Sequence, residues 1–436
     1  MRLVDIANAA GGWIAPGSTD RKVSRAVIDS RKSCKDCLFF ALSGSRTDGH
    51  AYVDDVIESG GIAVVSRGDR REGIVLVDDV EKALLDAAEW RRSTIGSRII
   101  AITGSSGKTT TRLFLTAALE SRFTVYSTSG NLNNHLGVPL TILNAPEKDA
   151  DIIVLELGMN HAGELLHLGR IVSPADCLIT NIGHAHMEFF DSMDDIARAK
   201  AELIRTTVSG GTCVMPAGEK ILERTARAAG LKTRYFGDGS DAWFEQENGK
   251  YIVYPWKIEV KLQFRGSHNM MNAVSALLMS DTLGAQPRKA AGAIEKVTPV
   301  KGRGRVVKAG GLTIMDESYN ANPESTLACL EVLEGVKGHR GAVLGDMREL
   351  GDDSPGYHVE ILKRADNIGL DFIILTGDVY DSVKNTVTAT DLYVAEDWKD
   401  ALKILRNAAP SECTVLVKGS NSLKLSELVR FLEEGI

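Results

Sequence analysis

Apolar runs of strand length, alternating with longer stretches of helical period, predict an α/β protein with mainly parallel sheets. The 436-residue chain is too long for one hydrophobic core, and domains usually run to roughly 100–200 residues. We therefore expect three domains. A small α/β domain covers 1–95, a central domain with a mostly parallel sheet covers 96–305, and a Rossmann-like domain covers 306–436. In the first, residues 1–10 begin a helix, strands are expected at 38–42, 62–65 and 74–77, and a helix at 80–92 closes the unit. The central domain opens with a strand at 98–103, a glycine turn and a helix over 108–119. Strands at 152–157 and 177–181 follow, each ending on polar residues, where open parallel sheets place their ligands. A connector rich in glycine and basic residues at 299–305 leads into the third domain, with strands at 313–315, 341–344, 372–375 and 414–417. No internal repeat is evident.

Composition narrows the class of function. With 44% hydrophobic and 25% charged residues the chain is an ordinary globular protein, and a formal charge of −7 with no basic block argues against a nucleic-acid partner. The amino terminus lacks a signal-peptide pattern, and no run approaches the roughly 18 apolar residues of a membrane span, so a cytoplasmic protein is expected. Of six cysteines, Cys34 and Cys37 form a C-x-x-C that reads as a structural turn, since no second ligand pair stands at zinc spacing. Most of the others read as buried thiols.

The segment Thr103-Gly104-Ser105-Ser106-Gly107-Lys108-Thr109-Thr110 lies between a strand and a helix, where backbone N–H groups and the helix dipole can hold phosphate oxygens. Lys108 would reach the β and γ phosphates and Thr109 would ligate magnesium. A strict Walker pattern is broken at Ile102, where its first glycine belongs, and a glycine-rich structural turn is the plainer alternative. The motif indicates a nucleotide and says nothing of the reaction. Glu156 ends a strand and could complete a magnesium site, or simply be a surface carboxylate. His186, in Asn181-Ile-Gly-His-Ala-His186, could bind a second metal, though a lone histidine is more often structural. Lys200, on a helix, would ordinarily be a solvated surface lysine.

Taken together, these residues resemble the Mur ligase family, the amide ligases that extend the peptide of bacterial cell-wall precursors, and the resemblance runs through all three domains. It implies use of ATP with two magnesium ions, the first held by Thr109 and Glu156, the second by His186 and a carbamylated Lys200. Lys108, His186 and Lys200 are then the catalytic residues. Gly266-Ser-His-Asn-Met-Met-Asn272 is similar to the family's adenine-binding helix start, with Asn272 reading the base edge and His268 close by; a helix N-cap by Ser267 or Asn269 is compatible with this. Arg305 matches the arginine that enters the third domain. Asp316 and Glu317 fall where an acid touches the ATP ribose, in place of the Asp-Asp common in the family.

Three further segments resemble the branch that adds D-alanyl-D-alanine to UDP-N-acetylmuramoyl-tripeptide: 130–139, with Asn131, Asn133 and Asn134; 316–323, with Asn320 and Asn322; and Gly345-Asp-Met-Arg-Glu-Leu-Gly351. The resemblance implies that Asn131, Asn133 and Asn134 face the UDP precursor, together with Ser30 and Arg31 and with Asp48, Gly49 and His50 in the first domain. Asn320, Asn322 and Lys418 would face the dipeptide. The Asp-Asn-Pro-Arg motif of the diamino-acid-adding sibling is absent, and Asn421 stands where the family usually has an arginine. The expectation is a cytoplasmic, monomeric ligase whose third domain closes over ATP. A sibling ligase, or a P-loop ATPase regulator that makes no amide, is the alternative.

Overall fold

The computed structural model describes residues 1–44, 47–387 and 390–435, built around four sheets. In the first, Trp13–Ile14 runs antiparallel to Ile74–Leu76, and Ile62–Val65, Cys37–Phe40 and Arg25–Val27 continue in parallel. The middle sheet is entirely parallel, in the order Lys232–Phe236, Thr212–Pro216, Asp176–Ile179, Arg98–Thr103, Ile152–Glu156, Val125–Ser127. Its central strand, Arg98–Thr103, carries Ile99, Ile100 and Ile102 with no exposed surface; each such burial contributes about 1.5–3 kcal/mol. Strands buried on both faces read as continuous apolar runs, which is why this one was legible in the sequence.

The carboxyl-terminal sheet has the antiparallel edge pair Arg305–Ala309 and Leu312–Glu317, then Thr414–Lys418, Arg340–Gly345, Phe372–Thr376 and Asp391–Ala395 in parallel. Arg305 therefore opens the third sheet, and does not close the connector in which the sequence reading placed it. A fourth sheet, Trp243–Glu247, Lys250–Tyr254 and Ile258–Val260, is antiparallel and was not anticipated. Its exposed strands alternate only weakly, so their period carried little signal.

The chain reverses direction in the middle sheet at Arg98–Thr103: later strands are added first on one side, then on the other. Ligands of open α/β sheets bind outside the carboxyl ends at such a switch point. The helix Lys108–Glu120 begins there, with Gly107 at its N-cap in the left-handed region, φ 76°. The helix Met193–Thr206 is fixed by Ser192, whose side chain accepts the Asp195 N–H, with Asp194 and Asp195 in the first turn. Its Ile196, Ala199, Leu203 and Ile204 are buried, and Lys200 is buried among them at 1% exposure. The solvated surface lysine is thereby excluded.

The C-x-x-C turn carries a covalent bond that the sequence reading did not foresee: Cys34 and Cys37 form a disulfide, and the other four cysteines are free and buried. Among the described residues, no helix is long and apolar enough to cross a membrane.

Candidate active site

A cavity of ≈ 950 Å³ opens between the middle and carboxyl-terminal sheets. One wall is the glycine turn. Ser105 Oγ donates to Gly183 O at 2.9 Å, while Asn181 accepts from Ser106 N–H at 2.9 Å and donates to Ser106 Oγ at 2.6 Å. Lys108 Nζ donates to Gly104 O at 2.7 Å. Gly104, at φ 151°, could carry no side chain, since a Cβ there would lie 1.8 Å from Thr180 Oγ1. Asn181 is the clamp that sequence reasoning missed as a functional residue, although it stands at a strand end in a segment that reasoning had singled out. Burial pushes Lys108 down to about 8, with Glu156 opposing the shift and Arg303 adding to it.

Behind the turn, Thr109 Oγ1 donates to Glu156 Oε2 at 2.9 Å, Asn133 Nδ2 donates to Glu156 Oε1 at 2.8 Å, and Arg112 Nε approaches Glu156 at 3.3 Å. A buried hydroxyl and carboxylate converging on one point are hard oxygen donors of the kind magnesium takes, so this set fits the first ion. The second set fits less completely. Among the described residues no three His, Cys, Asp or Glu side chains cluster as a metal site. His186 lines the cavity with its Nδ1 2.5 Å from Glu349 Oε2, leaving Nε2 for another partner. The Lys200 side chain makes no hydrogen bond or ion pair among the described residues. Burial, and then the charge of Lys108, hold its amine well below the usual lysine range. A carbamate there would supply the anionic oxygen that the set lacks.

The other wall belongs to the third sheet. Arg303 lies over the Tyr319 ring at 3.7 Å, Lys418 Nζ donates to Asn320 O at 3.0 Å, and all four residues line the cavity with Asn322, Arg348 and Glu317. Glu317 is pushed up to about 7 by burial, with Asp316 adding to the shift and Lys418 and Arg303 opposing it. His268 is pushed down to about 4 by burial and by Lys418, and its Nδ1 has no partner. Asn272 touches the glycine turn, its Oδ1 standing where a Cβ on Gly107 would come within 2.5 Å. Two histidines bridge the walls: His184 Nδ1 lies 2.5 Å from Glu324 Oε1, and Glu188 N–H donates to Glu349 O at 3.1 Å beside the His186 pair.

Several expected site residues lie elsewhere. Arg305 forms two bonds to Glu433, at 2.8 and 2.9 Å, and stands outside the cavity; Arg303, two residues earlier, is the arginine that faces it. Asp316 is consumed by Gly302 N–H and Ser318 Oγ, which leaves Glu317 as the cavity acid. Asn322 spends its side chain capping the helix Pro323–Glu334, and Asn134 Oδ1 accepts the Gly137 N–H at 2.9 Å, although both line the cavity. Asn131, Gly104, Thr109 and Lys200 are outside the lining, and Asn421 is exposed and outside it too.

The first-domain residues form a separate edge. Ser30 and Arg31 follow the strand Arg25–Val27, and Asp48, Gly49 and His50 follow Cys37–Phe40, its parallel neighbour, so both turns leave the same end of the sheet. Asp48 accepts from His50 N–H at 3.0 Å and pairs with His50 Nδ1 at 2.8 Å, and those bonds hold its carboxyl well below the usual range. Arg31, 88% exposed, pairs with Asp29.

Comparison with known proteins agrees with this geometry. Residues 102–280 match the Mur ligase middle domain and 302–421 the Mur ligase glutamate ligase domain. Over 99% of this chain and 98% of the relative, it is 32% identical to the UDP-N-acetylmuramoyl-tripeptide–D-alanyl-D-alanine ligase of Bacillus subtilis (strain 168). The chain belongs to the Mur ligase family. The Escherichia coli (strain K12) member of the same name is 31% identical over 95% of each chain. Among solved Mur ligases, a MurF crystal structure from Acinetobacter baumannii superposes with a TM-score of 0.88 at 30% identity, covering 99% of this chain and 98% of that one. MurF from Thermotoga maritima in complex with ADP gives 0.82 at 27% identity over 94% and 97%. The chain is thus an ATP-dependent ligase with the three-domain Mur ligase fold.

Proposed function

We propose that this Mur ligase joins D-alanyl-D-alanine to UDP-N-acetylmuramoyl-tripeptide, with ATP converted to ADP and phosphate. The observation that carries the reading is the cavity in which Lys108 and Glu156, the latter bonded to Thr109 behind the lining, face Lys418, Asn320 and Arg348 on the opposite wall. Full-length relatives of that name support the choice of substrates.

A carboxylate is a poor electrophile near neutral pH, so it needs activation. The precursor carboxylate attacks the γ-phosphate, and the dipeptide amine displaces phosphate from the resulting acyl phosphate. Gly107 and the following helix start hold the phosphates through backbone N–H groups, with Ser105 and Ser106 lining the turn, and Lys108 meets the charge that develops on the transferring phosphoryl group. Thr109 with Glu156, and His186 with carbamylated Lys200, would hold two magnesium ions, which neutralise phosphate oxygens when bound. Asn272 and His268 take the adenine and Glu317 the ribose. Ser30, Arg31, Asp48, Gly49 and His50 take the uridine diphosphate, whose negative charge suits the free face of Arg31. The protein would act as a cytoplasmic monomer.

Phosphate release and product mass would be followed with ATP, magnesium and UDP-N-acetylmuramoyl-tripeptide, with and without D-alanyl-D-alanine. A new amide that appears only with the dipeptide is expected. Amide formation only from UDP-N-acetylmuramoyl-dipeptide and a free diamino acid would reassign the substrates, and ATP hydrolysis with no amide would remove the ligase reading.

A further inference from the structure

The strands Arg340–Gly345 and Thr414–Lys418 pair in parallel, so the loops leaving their carboxyl ends lie side by side at the cavity. Ser420 ties them together: its N–H donates to Asp346 O at 3.1 Å, and its Oγ accepts the Arg348 N–H at 2.9 Å. The backbone of Arg348 is thus held by the segment that leaves the strand Thr414–Lys418. Asp346, the nearest acid, is fully buried and already accepts from Val379 N–H at 3.2 Å and Tyr380 N–H at 3.0 Å. The Arg348 guanidinium comes no closer than 3.8 Å to it and is half-exposed on the cavity wall. The other cations of the cavity are engaged: Lys108 by Gly104 O, Lys418 by Asn320 O, and Arg303 by the Tyr319 ring. Among the described residues Arg348 makes no side-chain hydrogen bond, so its planar fork is presented to the cavity from a fixed backbone.

We propose that Arg348 binds the terminal carboxylate of the incoming dipeptide through paired hydrogen bonds, and so makes that carboxylate a requirement for the amine substrate. A guanidinium matches a carboxylate in planarity and spacing, which a lysine does not. Closure of the cavity would strip water from Arg348, so a ligand lacking the carboxylate would leave a desolvated cation unpaired, the arrangement that gives the strongest discrimination. The inference rests on the proposed reaction and adds the residue that selects its second substrate.

The test compares D-alanyl-D-alanine with D-alanyl-D-alaninamide, which keeps the amine and lacks the carboxylate. The unaltered enzyme should prefer the acid. In Arg348→Gln the KM for the acid should rise about 10- to 100-fold, while KM for ATP and for the precursor stay the same and the preference for acid over amide disappears. Arg348→Lys should recover part of that preference, and takes the place of the glutamine variant if the latter does not fold. A preference retained in both variants, or an equal loss for acid and amide, overturns the proposal. Failure of the unaltered enzyme to use the acid at all would instead overturn the reaction on which it rests.

Discussion

The two junctions of the molecule are built differently. Between the first and middle sheets the apolar core is continuous: Leu38, Ile62, Leu84, Leu155 and Ile179 belong to one buried cluster. Polar bonds reinforce it there. The Asn144 carboxamide accepts from Ala26 N–H and donates to Ala26 O, both at 2.9 Å, and Arg91 donates to Ala145 O at 2.7 Å. Between the middle and third sheets the clusters are separate. Among the described residues, the bonds at the cavity rim that span that gap include two His–Glu side-chain pairs, His184–Glu324 and His186–Glu349, the His184 N–H donated to Glu324 Oε1 at 2.8 Å, and the Glu188 N–H donated to Glu349 O. Buried apolar area is lost all at once or not at all, whereas a few partly exposed polar pairs exchange readily with water. The difference teaches that the first unit is fused to the nucleotide wall by buried apolar area, while the third unit is held to that wall at the cavity rim by a few polar bonds, the kind of junction that hinged units use.

The largest expected effect falls on the rigid wall. Lys108→Ala should reduce turnover by about 1,000-fold or more, because it removes the charge aimed at the transferring phosphoryl group; near-normal phosphate release would break the assignment. Lys200→Ala should be similarly inactive, and short carboxylates such as acetate should restore part of the activity by standing in for the carbamate. In the unaltered enzyme, ¹³C-labelled bicarbonate should give a carbamate resonance that is missing from the variant, and an identical spectrum in both would leave Lys200 without that role.

The comparison of junctions is sharpened by a matched pair of substitutions. Glu324→Ala with Glu349→Ala should enlarge the radius of gyration and raise the KM for ATP, with little change in melting temperature. Asn144→Ala should lower stability by about 1–3 kcal/mol, since it leaves the buried Ala26 groups unpaired, with the scattering profile unchanged. Scattering changes in the second variant and not the first would invert the argument.

The smallest effect concerns Glu317. Its pKa in the folded protein, about 7, lies above the ordinary carboxylate value of 4.5, so the native state binds more protons between those values and stability falls as pH rises through that window. Glu317→Gln should therefore gain stability relative to the parent by roughly 1–2 kcal/mol on going from pH 4.5 to pH 8, discounted for the cavity water that reaches it. Parallel stability curves for the two proteins would show that the carboxyl titrates normally. If the ionised carboxylate receives the ribose, kcat/KM for ATP should also rise through pH 7 in the parent only.

The sequence by itself determined the α/β class, the buried strands and the glycine turn with Lys108 and Thr109. Buried parallel strands read as unbroken apolar runs, and a phosphate turn is a local motif whose chemistry depends on neighbouring residues alone. It also picked out Glu156 and His186 at or after strand ends, because the carboxyl edge of a parallel sheet is a predictable place, and Asn272 through the family resemblance of its segment. Only the tertiary structure decided which of two similar neighbours lines the cavity: Arg303 and not Arg305, Glu317 and not Asp316. Asp316 and Glu317, successive residues of one strand, point to opposite faces, while Arg303 lies in the turn before the strand that Arg305 opens; which of them meets the cavity depends on how the sheets are docked. The burial of Lys200, the clamp by Asn181 and the His–Glu bridge to Glu349 were equally hidden, since each is a contact between segments far apart in the chain. A sequence lists such groups without their distances, and it is the distances that turn a lysine, an amide or a carboxylate into part of a site.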